Sequence, residues 1–101
     1  MPTRLSPQQI AAALPALPAW SLVEEGSAIR RELRFAGFDE AMAFIVALAE
    51  VARALDHHAD LYNVYDRVTL RLSTHDVGGL TDRDFAFAAG AEEVLLRTLS
   101  A

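Results

Sequence analysis

The sequence predicts an α+β fold: a four-stranded antiparallel sheet with three helices packed on one face, in the order α-β-β-α-β-β-α. Two stretches, Ile29 to Phe35 and Val68 to Thr74, alternate between an apolar and a polar side at period two. Each is joined to a second short apolar run by a connection too brief for a crossover, which makes the pairing antiparallel. Three helix-periodic segments flank these strand pairs and have the sheet's apolar side to cover.

The first helix opens at Ser6, an N-cap residue with Pro7 at the first helical position and Gln9 placed to complete a capping box. Leu5 and Ile10 have the spacing of a hydrophobic staple. Pro15 ends the helix, and Ala16 to Pro18 form a stiff connector. Trp20 to Glu24 reads as a short strand that turns at Gly26 and Ser27. In the next strand Ile29, Arg31, Leu33 and Phe35 alternate with Arg30, Glu32 and Arg34. Asp39 opens the longest helix, which runs to about Asp56. Phe38, Met42, Ile45, Ala49 and Ala52 follow one helical stripe, whereas Phe44, Val46 and Leu48 point elsewhere. A helix apolar on two sides is expected to be covered on two sides, the second by another subunit.

Tyr62 to Tyr65 and Val68 to Thr74 form the second strand pair, turning at Asp66 and Arg67. Val68, Leu70 and Leu72 face one way, and Thr69, Arg71, Ser73 and His75 the other. Gly78 and Gly79 break the strand. Thr81 and Asp84 form a capping box for the last helix, with Phe85, Ala88, Leu95 and Leu99 on its buried side.

Composition narrows the functional classes. The 101 residues are expected to form a single domain, and 52% hydrophobic with 23% charged residues is a globular balance. The formal charge is −5, and protonating all three histidines raises it only to −2, so a sequence-independent nucleic-acid binder is disfavoured. Without cysteine there is no disulfide, thiol nucleophile or Cys-ligated metal. The N-terminus carries no signal-peptide pattern, and the longest apolar run, Ala41 to Ala49, is far shorter than the roughly 18–20 residues of a membrane span. A cytoplasmic protein is the expectation.

The chemistry-bearing residues gather late in the chain. His57 and His58 end a helix and His75 ends a strand, with Asp56, Asp60, Ser73, Thr74, Asp76 and Asp84 around them. Each has a structural explanation: a histidine at a helix C-terminus complements the macrodipole, and Asp84 completes a cap. Together they suit two chemistries. Three imidazoles and a carboxylate can hold zinc, but adjacent histidines diverge, whereas ligand pairs usually sit at i, i+4 or i, i+2. Acid–base work on a small molecule fits better, since imidazole both donates and accepts protons near neutral pH. No nucleophile elbow or phosphate loop is present.

Leu55-Asp56-His57-His58, Asn63-Val64-Tyr65, Leu72-Ser73-Thr74-His75 and Gly79-Leu80-Thr81-Asp82-Arg83-Asp84 closely resemble the signature of the pterin-4a-carbinolamine dehydratases. Trp20, Gly26, Ile29, Phe35, Phe38, Ala41 and Phe44 extend the resemblance over nearly the whole chain. It implies dehydration of 4a-hydroxytetrahydropterin to quinonoid dihydropterin, which recycles the cofactor of aromatic amino-acid hydroxylases with no metal or nucleotide. By the same resemblance, His57, His58, His75 and Asp84 are catalytic. Asp56, Leu61, Ser73, Thr74 and Arg83 are substrate-binding positions, Ser73 and Thr74 through the backbone that reads the pterin ring. A homodimer or homotetramer, its sheets joined across one interface, is also implied.

Three positions depart from the family pattern. Ala59 stands at a usual proline and Leu61 at a common tryptophan. Arg53 stands at an often acidic position, four residues before His57, where helical geometry would set it against an imidazolium. A second reading is a non-catalytic assembly or dimerisation module on the same scaffold, with a protein partner, as some family members imply. Retention of all three histidines and Asp84 favours the enzyme.

Overall fold

The computed structural model describes residues 3–100. Helix α1 (Pro7–Ala13) opens as its sequence predicts: Ser6 Oγ accepts the Gln9 N–H at 3.1 Å, and Gln9 Oε1 accepts the Ser6 N–H at 2.8 Å. A 3₁₀ turn at Leu14–Ala16, with Pro15 inside it, ends the helix. Strands β1 (Ser21–Val23) and β2 (Ala28–Arg34) form one hairpin. Helix α2 (Phe38–Leu55) follows, then the hairpin of β3 (Asp60–Val64) and β4 (Arg67–Leu72), and finally helix α3 (Asp82–Ser100). All pairings are antiparallel in the order β1-β2-β4-β3. The predicted architecture and element order are therefore those observed, with strand and helix ends displaced by a residue or two.

The central pair β2 and β4 sets the register, with Ile29 opposite Leu72 and Leu33 opposite Val68. These residues and Leu70 form the floor of the core, and Ile10, Phe44, Leu48, Phe87 and Val94 press on it from the three helices. Trp20 is buried just before β1, and its indole Nε1 donates to Glu92 at 3.0 Å. Arg31, the one charge on the inner side of β2, meets the same carboxylate at 3.1 Å, so an apolar layer accommodates it without an unpaired charge. Among the described residues, no helix covers the outer side of the sheet, which carries Arg30, Glu32, Arg34, Thr69 and Arg71.

Two stripe assignments are corrected. In α2 the inward residues are Ala41, Phe44 and Leu48; Phe44 is 1% exposed, whereas Val46 is 70% exposed. Phe44 and Leu48 belong to this chain's own core and do not supply a second apolar face. The sequence pattern misled because Met42, Ile45 and Ala49 flank the buried stripe and share its period. In α3 the inward residues are Asp84, Phe87, Ala88, Ala91 and Val94, while Leu99 is 55% exposed. Helix α2 also starts at Phe38 rather than Asp39, and with 18 residues it is shorter than the 19-residue α3 and not the longest helix; Gly37 is its N-cap, and Glu40 accepts the Ala36 N–H at 3.0 Å. Helices α2 and α3 pack closely at Gly90, where a Cβ would fall 2.9 Å from Val51 Cγ1.

Phe44→Ala removes a fully buried ring and is expected to cost about 3–5 kcal/mol in urea unfolding. Val46→Ser, at a solvent-facing position, should change the same free energy by no more than about 0.5 kcal/mol. Equal effects would restore the original assignment.

Candidate active site

Three chain segments meet where α2 ends, β4 leaves the sheet and α3 begins. Helix α2 stops because Asp56 takes a left-handed conformation (φ 48°, ψ 47°), and the His57 N–H then reaches back to the Ala52 carbonyl at 3.2 Å. That reversal turns His57 inward and leaves His58 exposed. Beyond β4, Thr74 and Gly79 exchange backbone hydrogen bonds, which closes a tight loop over His75–Val77. Gly78 completes the loop at φ 62°, a conformation that suits glycine. His75 is thereby presented on the loop surface.

Asp84 lies on the first turn of α3 and is completely buried. Its Oδ2 accepts from the Thr74 hydroxyl at 2.8 Å and from the Thr81 N–H at 3.0 Å, and its Oδ1 lies 2.7 Å from His57 Nε2. The Thr74 proton is committed to the carboxylate, so the Thr81 hydroxyl donates to Thr74 Oγ1 across 2.8 Å and itself accepts the Arg83 N–H at 3.3 Å. A carboxylate offers only acceptors, so with Asp84 ionised the shared proton belongs to His57 Nε2. The His57 side chain is only 10% exposed, and its ring meets Phe87 edge-on with centroids 6.4 Å apart.

His58 and His75 line a polar cavity of about 520 Å³ together with Ser27, Asp60, Arg71, Ser73 and Gly78. His58 also borders an apolar hollow of about 270 Å³ whose wall includes Leu61, Ala59, Ala49, Ala52 and Phe87. Another hollow, of about 510 Å³, lies on the open side of the sheet among Arg30, Glu32, Arg34, Tyr62 and Arg67. It contains no histidine, whereas the first cavity is lined by two. Among the described residues, no three His, Asp or Glu side chains gather as a metal-ligand group.

The expected site residues therefore separate. His58, His75 and Ser73 line the cavity, and Leu61 lines the hollow beside it. His57, Thr74 and Asp84 stand behind the cavity as one hydrogen-bonded unit. Asp56 is exposed and acts through its backbone reversal, and Arg83 is exposed and contributes its N–H to Thr81; neither lines the cavity. Arg53 and His57 do not share a helical face, as their spacing had implied. The left-handed Asp56 takes His57 off the helix, and Arg53 pairs with Glu50 instead.

Arg71 and Ser27 were not expected in the site. Arg71 follows from strand alternation, which puts it on the same side as Ser73 and His75. Its partner across the hairpin is Asp60, at 2.8 Å. Ser27 comes from the other hairpin, and its carbonyl accepts the Ser73 hydroxyl at 2.7 Å. The Glu24 carboxylate takes two hydrogen bonds from Arg71, at 2.5 and 2.6 Å, and these with the guanidinium charge hold its carboxyl below the usual range. A group with a lowered folded-state pKa stabilises the fold above its unfolded pKa, and that contribution disappears as pH falls through the lowered value. Glu24→Gln should therefore lower the melting temperature at pH 7, with the gap to the parent closing as the pH falls below the usual glutamate range. A gap independent of pH would contradict this.

These elements define a small α+β protein whose candidate site is an imidazole-lined polar cavity backed by a buried carboxylate. A family model described as pterin 4 alpha carbinolamine dehydratase matches residues 3–94. The chain belongs to that family. A protein of Xanthomonas campestris pv. campestris strain B100, named "Putative pterin-4-alpha-carbinolamine dehydratase", is 46% identical over 98 residues, which span 97% of this chain and 83% of that one. A Xanthomonas oryzae pv. oryzae protein of the same name is 49% identical over 85% of this chain and 73% of its own length. The crystal structure of a transcriptional coactivator/pterin dehydratase from Brucella melitensis superposes with TM-score 0.87 at 35% identity, covering 91% of this chain and 98% of that one. A pterin dehydratase-like RuBisCO assembly factor of the alpha-carboxysome shares the fold, with TM-score 0.65 at 18% identity over 75% of this chain and 88% of its own.

Proposed function

We propose that this protein dehydrates 4a-hydroxytetrahydropterin to quinonoid dihydropterin in tetrahydropterin recycling in the cytoplasm, by histidine acid–base catalysis without metal or nucleotide. The observation that carries the reading is the division of three imidazoles: two open to one polar cavity, and one held by a buried carboxylate behind it. The reaction breaks the C4a–O bond and removes the N5 proton, leaving a C4a=N5 double bond and water. One cavity histidine, as imidazolium, protonates the departing oxygen. The other, neutral, accepts the N5 proton, and solvent exchange resets both. His57, fixed by Asp84, holds its ring behind the cavity and positions the reacting edge. The apolar hollow at Leu61 lies beside His58, where family members commonly present an aromatic wall.

Single replacement of His58 or His75 by Ala should lower kcat by roughly 10²–10⁴ with little change in binding. The double variant should cost less than the product of the singles, because the two groups act as a unit. The rate should be bell-shaped in pH, since one imidazole must be charged and one neutral. Prolonged chelation should leave the rate unchanged. A double variant with full activity, or activity lost on chelation and restored by metal, would refute the assignment.

We also propose a homodimer or homotetramer. Edge strand β3 and the turn after it expose Leu61, Tyr62, Val64 and Tyr65, and Phe38 stacks on Tyr65 with centroids 6.3 Å apart, which leaves apolar surface beside an unpaired strand edge. Light scattering at micromolar concentration should give at least twice the chain mass, and a Tyr62→Lys variant should reduce it. A monomeric parent would reject the proposal. A protein-partner role comes second, supported by the coactivator description of the 35%-identical Brucella structure. Lack of any dehydration above buffer would favour it.

A further inference from the structure

The polar cavity has a charged wall that the acid–base reading leaves without a task. Arg71 Nε and Nη2 donate to the two oxygens of Glu24, and Nη1 donates to Asp60 Oδ2 at 2.8 Å. Arg71 and Asp60 line the cavity directly, beside His58 and His75. Glu24 holds the guanidinium from behind, and the cost of that placement is visible in the backbone. Glu24 and Glu25 are consecutive non-glycine residues in the left-handed region, at φ 53° and 58°. Such strain persists only where surrounding contacts enforce it. Here the fork to Arg71 enforces it, together with the Ser27 hydroxyl and N–H on the Glu24 carbonyl, at 2.7 and 3.2 Å.

One guanidinium faces two carboxylates, so the wall is net negative. It also alternates in kind: a guanidinium has five N–H groups, of which Glu24 and Asp60 engage only part, and the Asp60 side chain is 74% exposed with acceptor capacity to spare. A hydroxyl fits such a surface because it accepts from one group and donates to the other. An anion can take the donor but is repelled by both carboxylates. The histidines lie on the same cavity, so this charge acts on whatever they bind.

We propose that Arg71 and Asp60, held by Glu24, are specificity-determining residues that select substrates whose ring substituent is neutral and hydroxylated and discriminate against those bearing an anionic one. The inference rests on the pterin reading. In a pterin carbinolamine C6 is bonded to N5, so a charge carried on C6 lies close to the reacting nitrogen and hence to the cavity that the imidazoles share with this wall.

The test compares stable oxidised pterins, which need no turnover: 6-(1,2-dihydroxypropyl)pterin against 6-carboxypterin, with affinity read by fluorescence quenching at low salt. The parent protein should prefer the dihydroxypropyl compound. Asp60→Asn should narrow that preference by about 6- to 100-fold, the scale of one charge felt across roughly 6–8 Å at an effective dielectric near 20–40. Arg71→Gln leaves the carboxylates uncompensated and should widen it. Circular dichroism confirms folding, and if Arg71→Gln does not fold, Asp60→Asn alone decides. Equal affinities in the parent, a preference for the carboxylate, an unchanged ratio in folded Asp60→Asn, or no binding of either compound would overturn the proposal. Selective binding without acceleration of carbinolamine dehydration would uphold this selectivity and instead reject the dehydratase reading.

Discussion

A carboxylate taken wholly out of water must have its lone pairs answered, and Asp84 is such a group. The Thr74 hydroxyl comes from the end of β4, the Thr81 N–H from the entry to α3, and the imidazole of His57 from the end of α2. Each of those elements must stop where it does for the set to close. A shift of α3 by one residue along its axis, about 1.5 Å, would withdraw the carboxylate from these partners. Among the described residues, no buried side-chain nitrogen or oxygen is left without a partner. The meeting point of helix, sheet and loop is thus set by hydrogen bonds of defined direction, whereas the apolar core beneath tolerates small adjustments.

The same constraint separates the supporting layer from the layer open to solvent. Packing under Phe87 and the carboxylate contact leave the His57 ring little rotational freedom. His58 and His75, by contrast, border a cavity open to small molecules. This arrangement sets the Asp84 carboxylate against His57, outside the set of residues that line the cavity. It is consistent with the pterin 4 alpha carbinolamine dehydratase family to which the chain belongs, and with acid–base chemistry that depends on side-chain placement.

Much of the fold was legible because it depends on local patterns. Ser6 with Gln9, Thr81 with Asp84, and the period-two runs through Ile29 and Val68 each identify an element from a handful of neighbours in sequence. The side of α2 that faces inward was not legible. Phe44 and Leu48 are distinguished from Ile45 and Ala49 only by which stripe meets Val68, Leu70 and Leu72, a tertiary fact. The candidate site divides in the same manner. Its histidines and Asp84 stood out by residue type and spacing. Glu24 and Ser27 belong to a different hairpin, and their connection to Arg71 and Ser73 exists only because β2 and β4 are neighbours. Arg53 shows the reverse error: helical spacing was extended one residue too far, past a left-handed Asp56 that no local rule announced.

That left-handed residue makes two identical side chains chemically unlike. His57 and His58 are adjacent and share the same covalent structure, yet a single backbone reversal at Asp56 sends one to a buried carboxylate and the next to an open recess. The difference resides in register rather than in residue type. Deleting the one residue between Leu55 and His57 would bring His58 to the place of His57, and inserting one would bring His57 to the place of His58, while leaving the composition of the motif almost intact. The junction is therefore a place where chain length itself carries information, and where the presence of two neighbouring histidines says less than their phase relative to the end of the helix.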